Sequence, residues 1–135
     1  MQTRLLISSL AVAALAACGP PKNYTPVEGI PKIQSLTELM DVQATAVDPH
    51  WGKASQESFS DAEFTELAAV GAKIDATSKH LKSFSKGADF DALGAKLNEK
   101  AGGLSKAAEA KDAAAARTAL TDMKATCKEC HSKFR

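Results

Sequence analysis

The chain has 135 residues, the size of a single domain, and only 5% of them are aromatic. Abundant Ala, Leu, Lys and Glu favour helices and leave almost no strand signal. A formal net charge of +1 excludes the strongly basic balance that recruits nucleic acid, so any electrostatic docking must be local.

At the start, Arg4 precedes an apolar run from Leu5 to Ala17 that is too short to span a bilayer and ends in small residues. Residues 1–17 therefore read as a secretion signal. The junction Leu15-Ala16-Ala17-Cys18 resembles the lipobox of bacterial lipoproteins, which implies that Cys18 is lipidated and becomes the first residue of the mature chain. Several acyl chains on one residue hold a protein firmly on a bilayer. The alternative is an ordinary signal peptide cut after Ala14-Leu15-Ala16. Gly19 resembles the residue that follows the cysteine in outer-membrane lipoproteins, so the expected location is periplasmic, anchored to the outer rather than the inner membrane. Loss of the signal removes Arg4 and leaves equal numbers of basic and acidic residues.

Residues 18–31 form the next unit. Pro20, Pro21, Pro26 and Pro31 keep a segment extended and oppose helix formation, which predicts a tether of roughly 40 Å at full polyproline extension.

From residue 32 to 135 the periodicity is that of four helices. In the first, Ile33, Leu36, Met40, Ala44 and Val47 fall on one side until Asp48-Pro49 stops it. Ser60-Asp61-Ala62-Glu63 is a capping box that opens the second, with Phe64, Leu67, Gly71, Ile74, Ser78 and Leu81 along one stripe and Gly87 as its end. Asp89 is the expected cap of the third. Phe90, Leu93, Leu97, Ala101, Leu104 and Ala108 keep one phase across Gly102-Gly103, so this helix runs through the pair although each glycine costs about 1 kcal/mol relative to alanine. Asp112 caps the fourth, whose stripe is Ala113, Ala116, Leu120, Met123, Cys127, Cys130 and Phe134. Four amphipathic helices with mostly short connections predict an all-α, antiparallel four-helix bundle. Its alanine-rich stripes bury little apolar area, and something bulky should fill the middle.

Cys127-Lys128-Glu129-Cys130-His131 has the CxxCH spacing of covalent haem attachment. Residues three apart on a helix share a face, so two thiols can add to the two vinyl groups of one porphyrin, and His131 follows on the same side. Both cysteines lie in the apolar stripe, which turns the attached group inward and supplies the missing core.

Two other uses of the cysteines stay in view. Zinc would take Cys127, Cys130 and His131 and want a fourth ligand. His80, half a turn from its stripe, is expected to point to solvent, and His50 sits in a loop beside Trp51, so neither histidine is aimed at the cysteines. A thiol redox pair needs a helix N-terminus to lower its pKa, whereas these cysteines close the last helix.

The tail from Thr126 to Arg135 resembles the C-terminus of the cytochrome c′ family, including its methionine-ligated low-spin relatives, and the resemblance covers about residues 32 to 135. It implies a bundle of the cytochrome c′ kind with one covalent haem c on the last helix. It also implies His131 as proximal ligand, Phe134 and Arg135 packing near the proximal face, and Met40 at the position of the sixth ligand. A core methionine would face inward in the same phase, so periodicity alone does not separate the two roles of Met40. Where the family often carries an arginine that meets a haem propionate, this chain has Leu36; Gln43 is the nearest polar substitute.

Arg117, Lys124, Lys128 and Arg135 share a stripe of the last helix, either as a basic collar for an acidic redox partner or as a solvated face. The expected function is one-electron transfer in the cell envelope to a redox partner protein, with no substrate turned over, membrane attachment by lipid and no nucleic acid bound. Self-association into a homodimer stays open. The alternatives are a five-coordinate haem protein that binds NO or CO for sensing, carriage or detoxification, and a structural lipoprotein whose CxxCH is unused.

Overall fold

The computed structural model describes residues 25–135; the signal sequence, Cys18 and the beginning of the tether lie outside the described residues. Every regular element among the described residues is helical. Four α-helices, α1 (Leu36–Val47), α2 (Asp61–His80), α3 (Ala88–Glu109) and α4 (Ala113–Phe134), are accompanied by 3₁₀ segments at Val27–Lys32, Asp48–Ser55 and Leu81–Phe84.

The described end of the tether departs from the expectation of an extended spacer. Val27–Lys32 winds as a 3₁₀ strap with Pro31 inside it, which is tolerated because so short a turn needs few backbone donors. Ile30 and Ile33 are buried. Burial of these two side chains, each worth about 1.5–3 kcal/mol, favours docking over an extended chain.

Helix α1 starts at Leu36, where the Ser35 hydroxyl accepts from the Glu38 amide at 3.4 Å. Its apolar surface is broader than the predicted stripe and partly rotated from it. Leu39, Val42, Gln43 and Val47 are buried, whereas Leu36 and Met40 are half-buried and Ala44 is exposed. One face rests on the rest of the core; the other borders a cavity. The Gln43 amide donates to Thr77 Oγ1 at 3.1 Å, a buried link from α1 to α2.

The capping box forms as the sequence implies: Glu63 N–H donates to Ser60 Oγ at 3.3 Å and Ser60 N–H to Glu63 Oε2 at 2.9 Å. All six residues of the α2 stripe are buried. The helix ends at His80, however, seven residues before Gly87. The Leu81 amide bonds to Ser78 and Thr77 carbonyls, and this tightening carries the chain into a 3₁₀ turn.

Helix α3 runs unbroken through Gly102-Gly103, and its predicted stripe is buried throughout. Its N-cap is Gly87, at φ +112°, with no side-chain cap bond. Asp89 therefore lies inside the first turn, where with Asp91 it complements the helix dipole instead of capping. The α3–α4 junction is a tight C-cap: Asp112 N–H bonds to Ala107 O at 2.9 Å and Lys111 N–H to Ala108 O at 3.1 Å. This places Lys111 at φ +54°, the left-handed position usually given to glycine. Asp112 then caps α4 by accepting from Ala115 N–H at 2.9 Å.

Packing is unequal around the bundle. Helix α2 lies along α3 and α3 along α4, whereas α1 rests chiefly on α2 and barely meets α4. Gly71 makes the α2–α3 seam close, since a Cβ there would lie 2.8 Å from both the Ala101 carbonyl oxygen and the Ser105 nitrogen.

Candidate functional site

The gap between α1 and α4 is where the chemistry-bearing residues meet. A cavity of about 240 Å³ is walled by Leu36, Thr37, Met40 and Gln43 of α1, by Leu81, and by Phe90, Leu93, Gly94 and Leu97 of α3. Its fourth wall is Thr126, Cys127, Cys130, His131 and Phe134 of α4, with Arg135 at the end. A second lobe of about 520 Å³ shares Met40, Gln43, Cys127, His131 and Arg135, and opens toward Val47, Asp48, Trp51, Lys124 and Lys128. The larger lobe lies within the range of about 300–1,000 Å³ common for small-molecule and cofactor pockets.

Cys127 and Cys130 are free thiols, both half-buried. Burial, with smaller contributions from Cys130 and Asp48, pushes the Cys127 thiol up to about 11, and burial likewise raises Cys130. A thiol exchange pair requires a ready thiolate, which this environment opposes, and a zinc site would want a fourth ligand that neither His50 nor His80 supplies to these lobes. Adding a thiol across a vinyl group of a large apolar ring needs the sulfur at an apolar wall, and that is where both stand. Two sulfurs, an imidazole at the rim and mainly aliphatic and aromatic walls fit a haem c.

The other predicted residues fall as follows. Met40 and His131 sit on different helices yet border both lobes. Phe134 is half-buried and meets Phe90 edge to face, with ring centroids 5.4 Å apart; this contact secures the end of α4 to α3. Arg135 borders both lobes. Gln43 lines the cavity with its amide already committed to Thr77.

Neither remaining histidine lines the cavity. His80 does not point to solvent: it is half-buried, its Nε2 donates to the Ile33 carbonyl at 2.9 Å, and its ring meets Phe84 edge to face. His50 lies in a 3₁₀ segment, not a loop. Its Nδ1 is buried without a partner, and burial lowers its pKa. Among the described residues no group of three or more His, Cys, Asp or Glu side chains gathers as a metal cage.

The basic stripe of α4 is divided. Arg117 donates to the Gln56 carbonyl at 3.0 Å, and Lys124 lies over the Trp51 ring, 5.8 Å from its centroid. Lys128 and Arg135 remain at the cavity rim.

Sequence reasoning gave Trp51 no place at the site, although it borders the second lobe. Its indole N–H donates to Asp48 Oδ1 at 2.9 Å. An aspartate three residues before a tryptophan at a helix end was the available signal. Leu93 and Leu97 were read as core and also form cavity wall.

A bundle whose last helix sets a CxxCH motif against an apolar cavity defines a class, the c-type haem proteins built on helices. The family model for cytochrome c′ matches residues 33–135, and the chain belongs to the cytochrome c′ family. That family consists mainly of electron carriers and gas-binding proteins, and it implies a covalently bound haem c. No curated protein and no solved structure matched the chain.

Proposed function

We propose that this protein is a one-electron carrier of the cell envelope, with a single haem c attached through Cys127 and Cys130 and ligated by His131 and Met40. The observation that carries the reading is that Met40 of α1 and His131 of α4 border the same two lobes as the motif cysteines. The haem supplies the redox couple, and a soft thioether ligand favours its reduced state. The protein's own part is to hold the ligands on separate helices, to keep Phe90, Leu93 and Leu97 around the ring, and to exclude water from it, which limits the reorganisation that accompanies each change of charge. Arg135 and Phe134 close the proximal end, and a redox partner docks at the exposed rim of α4.

Cys18, lipidated and left as the first residue by removal of residues 1–17, anchors the carrier in the periplasm, at the outer membrane. The support is the charged start, the short apolar run and the Leu-Ala-Ala-Cys junction. Mass spectrometry of the mature chain reads the acyl chains, and membrane fractionation reads the location.

Optical spectroscopy of the purified haem-loaded protein tests the ligation. A low-spin ferric spectrum with a weak sulfur-to-iron band is expected, converting to high spin in Met40→Ala. An unchanged spectrum in that variant removes Met40 from the coordination. A native high-spin spectrum that responds to NO or CO assigns the protein to gas binding, and a colourless protein removes haem function altogether.

A further inference from the structure

The docked strap shortens the leash between the folded bundle and its anchor. Lys73 Nζ donates to the Thr25 carbonyl at 2.6 Å, Ile30 and Ile33 are buried behind it, and His80 holds the Ile33 carbonyl. The strap packs on α2. From Cys18 to Thr25 is seven residue steps, so the chain between them reaches at most about 25 Å when fully extended. This is far less than the tether the prolines suggest.

Helix α2 lies on α1 and α3, whereas α4 lies on α3 and on Asp48–Ser55, which makes α2 and α4 diagonal partners. Two helix diameters make such a bundle about 20–24 Å across, and a path round its surface from one side to the opposite one is then roughly 31–38 Å. A leash of about 25 Å fixed beside Lys73 does not reach the outer side of α4. We infer that the lipid surface lies against the strap and the α2 side of the bundle, so that the α4 edge carrying Cys127, Cys130 and His131 faces away from the bilayer.

The surface suits this occupant. Val27, on the strap, is 39% exposed and is the large apolar side chain left exposed among the described residues. Thr65, Ala69 and Ala72 of α2 are exposed and uncharged, and Lys32 of the strap is exposed where a phospholipid phosphate would accept from its ammonium group. Lys79 is exposed and pairs with Asp75 at 2.7 Å, and Glu28 of the strap and Glu66 of α2 are exposed acids. The inference rests on the lipidation of Cys18 proposed above.

Lysine accessibility tests it with the full-length, haem-loaded lipoprotein in phosphatidylethanolamine and phosphatidylglycerol vesicles, compared with its Cys18→Ser form free in buffer. A membrane-impermeant amine-acylating reagent is applied and read by mass spectrometry. Lys32 and Lys79 are expected to react several-fold more slowly on vesicles, and Lys128 and Lys133 at unchanged rates. A long Gly-Ser insertion between Tyr24 and Thr25 should abolish the protection. Protection of Lys128, or of none of the four, in protein that floats with the vesicles overturns the orientation while the lipid anchor stands. A Cys18 without acyl chains, seen as the mass of bare polypeptide plus haem, removes the anchor and the inference with it.

Discussion

Replacing Gly71 by alanine would drive a methyl group into the α2–α3 seam. The new Cβ would lie 2.8 Å from the Ala101 carbonyl oxygen and 2.8 Å from the Ser105 nitrogen. Both are backbone atoms of a continuous helix, so no rotamer change relieves the clash and the two helices must separate by several tenths of an ångström. Ser105 Oγ, which donates to the Ala68 carbonyl at 3.2 Å, would be displaced as well. Overpacking of a well-packed seam costs about 1–3 kcal/mol, and alanine returns up to about 1 kcal/mol of helix propensity. With backbone atoms on both sides of the clash the overpacking cost falls in the upper half of that range, about 2–3 kcal/mol, and the expected net loss is about 1–2 kcal/mol. Gly103 provides the contrast: nothing lies within 4 Å of a Cβ built there, so Gly103→Ala keeps the propensity gain of up to about 1 kcal/mol. Urea unfolding of the haem-loaded variants, followed by far-ultraviolet circular dichroism, measures both. A Gly71→Ala protein as stable as the parent, or a Gly103→Ala protein weakened to the same degree, would show that the seam is not held at backbone contact.

Lys111→Gly should stabilise the fold by up to about 1 kcal/mol, because a non-glycine residue in the left-handed region costs about 1–2 kcal/mol against a glycine entropy cost of about 0.5–1 kcal/mol, and the Lys111–Asp61 pair that it removes is solvent-exposed and worth little; a clearly lower denaturation midpoint would contradict the C-cap geometry. Hydrogen bonds from Lys53 first, then from the Ser60 backbone and Gln56, hold the Glu63 carboxyl down at about 2 instead of 4.5. A depressed carboxylate stabilises above its ordinary value and loses that contribution as the pH falls through its folded value. The difference in melting temperature between the parent and Glu63→Gln should therefore be constant above about pH 4.5 and shrink toward pH 2; a difference that grows on acidification would refute the sign. The Cys127→Ser, Cys130→Ser double variant, unable to hold haem, should lose helicity and melt broadly, since the apolar walls of the cavity would then face water. Native circular dichroism with a sharp melt would mean that the helices suffice alone.

Much of this was legible because local signals agreed with tertiary packing. The α2 and α3 stripes survive almost residue for residue, and the phase across Gly102-Gly103 correctly outweighed the local cost of two glycines. The CxxCH motif declared its own position. Helix α1 was harder, because a helix with one face on a neighbour and another on a cavity presents two overlapping stripes, and periodicity returns a blend of both. The strap was hidden by composition: prolines argue for extension, and only the burial of Ile30 and Ile33 reverses that. Asp89 and Gly87 compete for one cap, and the choice depends on a backbone angle that no side-chain pattern encodes. Trp51 reaches the site through a turn after α1, across a distance in sequence that pattern reading does not bridge.

The lopsided packing of the four helices has a mechanical outcome. Helices α2, α3 and α4 pack along one another as a frame, and Cys127, Cys130 and His131 belong to it. Helix α1 hangs on that frame like a door leaf, tied to α2 by the Gln43–Thr77 bond and seated through Leu39 and Val42 in a cluster with Ile30, Ile33, Leu81 and Phe90, with Met40 on the side that borders the cavity. Opening such a leaf costs less than global unfolding. With Met40 as the proposed ligand and Cys127 and Cys130 as the proposed points of attachment, exchange of a partner at the iron would start from the α1 side, while the α4 side keeps its place.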